Sequence, residues 1–287
     1  MPKHSLYRLS SKVYNTPHLI TPQSFNVVLD YLDKRNGGFK FGEDEGPYEY
    51  YKEPENEEES IEGLSVINID GSLTYQPIET MCGEVGTSYS QLTEQVEDAI
   101  EGGCTTLIFN VTSGGGEASH VFQCASDIRA MCDEAGVKLI AYADTLACSA
   151  AYALSAIADE IIVNPSATVG SIGCVVCLMD TSKAMEQAGY KRIFVTSGDS
   201  KVPYNADGGF KQEFLDEIQV EVDDLNMEFS EFVSEHVGID AKLIRSFQAK
   251  TFNATQAVEA GLANAVMTNK EFAAYVASIH KMSGSHD

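Results

Sequence analysis

The chain has 287 residues, 44% of them hydrophobic and 9% aromatic, enough for one large domain with appendages. Its 19 basic and 43 acidic side chains leave a formal charge of −24, which argues against a nucleic-acid binder and against docking on anionic lipid. No run reaches the ~20 apolar residues of a membrane span, and MPKHSLYRLSSK lacks the apolar centre of a secretion signal, so a cytoplasmic protein is expected. The seven cysteines then read as free, mostly buried thiols. Cys174 and Cys177 have no second pair at zinc spacing, and no metal site is expected.

In chain order, residues 1–42 form an N-terminal segment with one helix, Pro22 to Lys34. Phe25, Val28, Leu29 and Leu32 lie on one face of it, Thr21 is a plausible N-cap, and Gly37-Gly38 is the stop. Residues 43–62 carry ten carboxylates and one lysine. Like charges at that density repel, so a disordered acidic linker is expected. A main domain over 63–268 comes next, with a C-terminal helix and tail over 269–287. In it, LSVINIDGSL reads as a strand ended by Asp70-Gly71, residues 76–88 as a loop, and Ser90 to Gly102 as a helix. Thr106 to Val111 is a strand running into Gly114-Gly115-Gly116, and Glu117 to Ala135 is a helix. Leu139 to Ala143 is a strand, Ala150 to Ala158 a helix, and Ile161 to Val163 another strand. Strands at Gly173 to Met179 and Arg192 to Thr196 flank a helix, Thr181 to Gly189. After a loop, Gln212 to Val237 is a long acidic helix, and short helices close the chain. This alternation is that of an α/β fold with a largely parallel sheet.

Ser149 lies between a strand and an Ala-rich helix. There a serine either caps the helix or serves as a nucleophile at a tight turn. The glycine run is either a tight turn or a source of outward N–H groups; no P-loop lysine comes after it. An oxyanion hole from Gly114 or Gly115 N–H with that of Ala150 is chemically coherent. For a base, His4, His280 and His286 are terminal, His18 lies in the N-terminal region and His236 ends a helix. Only His120 is close in sequence to the site. The remaining option is a lysine, Lys201, in a loop after an expected strand. A solvated lysine is protonated at neutral pH, and burial or a nearby cation is needed to make one a base.

Four segments carry a resemblance. They are INIDGSL (67–73), TSYSQLTEQVEDAI leading to NVTSGGGEAS (87–119), ACSAAYALSAIADEIIVNPSATVGSIG (147–173) and TFNATQAVEAGLANAV (251–266). Over residues 64–267 the chain resembles the Ser/Lys peptidases grouped with signal peptide peptidase A, and among them the phage head-maturation (prohead) proteases. The resemblance implies a ClpP/crotonase-like superhelix, Ser149 as nucleophile, Lys201 as general base and Gly114 and Gly115 in the oxyanion hole. Ser166 or Ser171 either orients the lysine or is a turn and cap serine. No cofactor is implied. Scaffold, capsid and portal proteins are the implied substrates or partners, a ring-like homo-oligomer the implied assembly, and the proheads of an infected cell the implied place. The rivals are a peptidase degrading peptides in the host cytoplasm and an inactive assembly homologue. Two departures stand out. Thr112-Ser113 replace the family's Ser-Pro, which would loosen the glycine loop, and Asn264 replaces an Asp in the closing turn.

Overall fold

The computed structural model describes residues 12–36, 61–80, 83–84, 86–205 and 207–283. Almost all of the expected acidic linker lies outside them. The N-terminal segment supplies β1 (Pro17–Ile20) and α1 (Pro22–Asn36). Then come β2 (Leu64–Asp70), a two-strand ribbon β3 (Glu79–Thr80) and β4 (Gly83–Glu84), α2 (Tyr89–Glu101), β5 (Thr106–Ser113) and β6 (Gly115–Glu117). The middle of the chain holds α3 (Val121–Ala135), β7 (Lys138–Cys148), α4 (Ala150–Ala156), β8 (Glu160–Val163), β9 (Thr168–Gly170) and β10 (Val175–Val176). Last are α5 (Ser182–Gln187), α6 (Gln212–Val237), α7 (Ala241–Ser246), β11 (Thr251–Asn253), α8 (Ala254–Glu259), β12 (Ala265–Val266) and α9 (Asn269–Ser283).

The main sheet runs β11-β9-β7-β5-β2, with β8 also on β7 and β12 on β8. All of these pairs are parallel except β11 with β9. The apolar runs in β5 and β7 are continuous because both faces of the sheet are covered. Leu107, Phe109, Val111, Leu139 and Ala141 point into the main core, while Ile108, Ile140 and Tyr142 meet Phe272 and Val276 of α9. Burying a side chain of this size contributes about 1.5–3 kcal/mol.

β7 organises the site. Its first half pairs with β8 and its second half with β9. Between them the register with β5 jumps from Val111↔Ala143 to Thr112↔Leu146, leaving Asp144 and Thr145 unpaired. Such a bulge bends a strand and re-aims the residues beyond it, here Cys148 and Ser149. All seven residues of α4 are buried; its alanines let the helix sit close under the sheet end.

Three expectations change. The glycine run enters a strand rather than a helix, because β6 has β1 on one side and Leu73 on the other; α3 starts only at Val121. Arg192 to Thr196 is exposed coil, since β-propensity without a partner strand makes no ladder. The strand expected over Gly173 to Met179 shrinks to β10.

A second small sheet, β10-β1-β6, is antiparallel throughout. Behind β1, Val13, Ile20, Phe25 and Leu32 form their own apolar cluster. The N-terminal segment is thus clamped onto the main domain by a sheet and a small core.

Candidate active site

Ser149 comes directly after β7 and begins α4. Its φ of 58° and ψ of −121° match the first central position of a type II′ turn, a place glycine usually takes. Holding a serine there costs of order 1–3 kcal/mol. The elbow is fixed on both sides. Ser149 N–H donates to the Gly170 carbonyl at 2.8 Å, and the Ser149 carbonyl accepts from Tyr152 and Ala153 at 2.9 and 3.0 Å. The side chain makes no capping bond. Its Oγ is buried and has no hydrogen-bond partner. An unpaired buried hydroxyl costs about 1–3 kcal/mol, so strain and desolvation fall on the same serine. The capping reading is therefore not realised. Because the strain lies in the backbone, the Ser149→Gly variant is expected to unfold about 2–4 °C above Ser149→Ala in a thermal melt. Equal midpoints would mean the elbow is relaxed.

The glycine strand lies against this elbow. A Cβ built on Gly115 would fall 3.0 Å from both Ser149 Cβ and Ala150 N. Gly115 also has a φ of +96°, so two constraints select glycine there. Ala150 N–H, in the first turn of α4, has no acceptor among the described residues. Gly115 N–H is held by Ser113 Oγ at 3.1 Å, and the Ser113 hydroxyl donates to the Gly71 carbonyl at 2.6 Å. Ser113 therefore braces the loop that the missing proline was expected to loosen. Asn264 compensates in a similar way: its Oδ1 accepts from Ile161 N–H at 2.7 Å, a bond a carboxylate would also accept.

The other expected residues divide. Ser171 is buried beside Gly170, whose carbonyl holds Ser149, and donates its own N–H to Lys250. Ser166 is exposed in a turn with Asn164 and is not brought to the elbow. Lys201 ends a short 3-10 turn (Asp199–Lys201) and is exposed. Among the described residues no hydrogen bond joins it to Ser149. It sits in a largely exposed stretch, 180–211, where Ile193 and Val195 are 80% and 96% exposed. A cavity of ≈ 830 Å³ within that stretch is lined by Ile193, Phe194 and Tyr204, and by neither Ser149 nor Lys201. His120 stacks on Tyr75 at 3.8 Å between ring centres and pairs with Ser119, and it makes no hydrogen bond to Ser149 Oγ. Burial pushes the neighbouring Cys148 thiol up to about 12, which leaves it no thiolate for nucleophilic work at neutral pH. No group of metal-ligating side chains occurs among the described residues.

Sequence reasoning missed Ser113, and it missed the N-terminal residues nearest the glycines. A Cβ on Gly114 would meet Ser24 Oγ at 2.1 Å and Thr21 Oγ1 at 3.0 Å, and one on Gly115 would meet the Leu19 carbonyl at 2.1 Å. The local signal was the apolar pair Leu19-Ile20 after His18, between two prolines. His18 is buried, with Nε2 3.1 Å from the Val13 carbonyl. Burial lowers its pKa below the ordinary 6.5, and the Val13 bond and the Glu117 charge offset only part of that. The neutral imidazole therefore contributes docking stability that is complete above pH ~6.5 and is lost as pH falls through the lowered value. Amide exchange at Leu19 and Ile20, relative to β5, is expected to quicken between pH 7 and pH 5. A flat ratio would remove His18 from the account.

A serine strained at a strand–helix elbow, beside a glycine-rich strand and a free helix N–H, is the layout of a serine hydrolase site. The model for peptidase family S49 matches residues 132–282, just over half of the chain. The chain belongs to that family. It is 24% identical to the capsid assembly protease C of Escherichia phage lambda over 236 residues, 80% of this chain and 51% of that protein. It is 25% identical over 209 residues to the head-tail preconnector protein GP5 of Enterobacteria phage P21, covering 71% of this chain and 40% of that protein. The chain thus spans about half the length, or less, of these curated relatives. Among solved structures, a mutant of the 1510-N membrane-bound stomatin-specific protease aligns over 72% of this chain and 80% of its own. Its TM-score is 0.42 at 13% identity, a likeness too loose to carry detail.

Proposed function

We propose that this chain is a serine endopeptidase built on a ClpP/crotonase-like fold, with Ser149 as nucleophile and Lys201 as general base. The observation that carries the reading is Ser149 itself: strained, desolvated, unpartnered and set against glycine backbone, within the stretch matched by family S49. Neutral Lys201 takes the Ser149 proton, and Oγ attacks the scissile carbonyl. Ala150 N–H and a glycine N–H, that of Gly114 or, once released from Ser113, that of Gly115, receive the developing oxyanion. Lysine then returns the proton to the leaving amine, and a water activated by the same lysine releases the acyl group. For this, stretch 180–211 must close over the elbow, where desolvation makes a lysine a usable base. Ser171, buried beside the elbow, is the better placed of the two serines to orient it.

The relatives named for capsid assembly and for a head-tail preconnector support a role in phage head assembly. The substrates would be scaffold, capsid or portal proteins, cut in the host cytoplasm on or within assembling proheads. No described helix is long and apolar enough to cross a membrane. The exposed apolar side chains at 193–195 offer a surface that a second copy would cover, in keeping with a homo-oligomer. The test is to incubate the purified chain with candidate phage scaffold and capsid proteins. Discrete fragments, read by mass spectrometry, are expected; intact substrates would sink the reading, and indiscriminate digestion would favour a general peptidase.

A further inference from the structure

β1 is the middle strand of its sheet, antiparallel to both neighbours. Pro17 and His18 oppose Val176 and Val175 of β10, while His18, Leu19 and Ile20 oppose Glu117, Gly116 and Gly115 of β6. Lift β1 out, and two strand edges face each other across a gap one extended chain wide. The gap lies against the nucleophile: the Leu19 carbonyl, Ser149 Cβ and Ala150 N all crowd the same open side of Gly115. Leu19 thus turns its carbonyl toward the side of Gly115 on which Ser149 and Ala150 lie. Its side chain is fully buried in the main core.

Apart from Leu19, this segment is attached through contacts of its own. It is held by the Lys12–Glu117 ion pair at 3.1 Å, by Thr21 N–H to the Gly114 carbonyl at 2.8 Å, by Asn15 N–H to the Cys177 carbonyl at 3.0 Å, and by the separate Val13/Ile20/Phe25/Leu32 cluster. With it in place, Ser149 has no exposed surface.

We propose that the channel between β6 and β10 is a binding site for an extended polypeptide strand with an aliphatic side chain at the Leu19 position, and that residues 17–20 fill it as a built-in inhibitor. The proposal rests on the serine peptidase reading for its consequence, and on strand pairing for the site itself. Substrate would enter by displacing β1 and taking over both ladders. The Leu19–Ile20 bond would stay uncleaved because Lys201 is exposed on its turn and makes no hydrogen bond to Ser149.

The test uses the full chain in two opposed forms. A His18→Cys/Glu117→Cys pair, on directly opposed residues, locks β1 in place when oxidised and frees it when reduced. Phe25→Ala loosens the segment from behind, away from Ser149. The probes are a fluorescent peptide of residues 15–24, the same peptide with Asp in place of the leucine, and a fluorophosphonate. With Ser149→Ala added, Phe25→Ala is expected to bind the leucine peptide at least ten-fold more tightly than the chain with native Phe25. The oxidised lock should bind none until it is reduced, and the Asp peptide should bind at least ten-fold more weakly. With Ser149 present, fluorophosphonate labelling should show the same order. An oxidised lock that binds or labels as fast as its reduced form overturns the proposal, and it does so even if Phe25→Ala folds poorly. Lock-dependent peptide binding with no labelling in any form would leave the channel standing and remove the serine peptidase reading instead.

Discussion

Ser149→Ala is expected to lower the rate of substrate cleavage by about 10⁴–10⁶-fold, the range found when the nucleophile of a serine hydrolase is removed. Its melting temperature should hold or rise, because the change removes an unpaired buried hydroxyl that costs about 1–3 kcal/mol. The replacement keeps the strained backbone, loses a buried hydroxyl that bonds to nothing, and disturbs no partner. A large loss of activity beside an equal or higher melting temperature is therefore the signature of a reacting group. Rates from initial product formation, with the melt run in parallel, measure both. Residual activity above about one-hundredth of native would place the chemistry elsewhere.

Lys201→Met is expected to cost about 10³–10⁴-fold in turnover, in the upper part of what a positioned general base supplies. His120→Ala should retain most of the activity, because that ring is stacked on Tyr75 and turned to Ser119. Lys201 is exposed on a turn, so the Met variant has no packing to lose and should melt like the native chain. The reverse order of the two variants would replace the Ser/Lys dyad with a Ser/His one.

The residues differ in how legible they were. Ser149 could be read because its signals are local: an apolar run, a tight turn, then an Ala-rich stretch. The sequence resemblance pointed to the same residue. Helix α6 matched the expected Gln212 to Val237 at both ends, since an amphipathic stripe needs no distant partner to be seen. The glycine run was misread past Gly116 because its strand character comes from β1, roughly a hundred residues away in sequence. Arg192 to Thr196 failed the other way: the residues favour a strand, and no strand among the described residues pairs with them. Ser113 was seen only as a departure, and its bracing role needs both Gly71 and Gly115 in view. The N-terminal segment was read as an appendage with a helix. Its placement over the glycines depends on pairing between distant strands, which periodicity cannot report.

The central claim is that the Ser149 oxygen is the nucleophile. The most direct measurement is peptide-mapped mass spectrometry after exhaustive fluorophosphonate treatment of the full chain and its Phe25→Ala and Lys201→Met variants. A single adduct on Ser149 is expected, formed fastest in Phe25→Ala and at least a hundred-fold more slowly in Lys201→Met than in the native chain. An adduct on another residue, or none in any form, would contradict the claim.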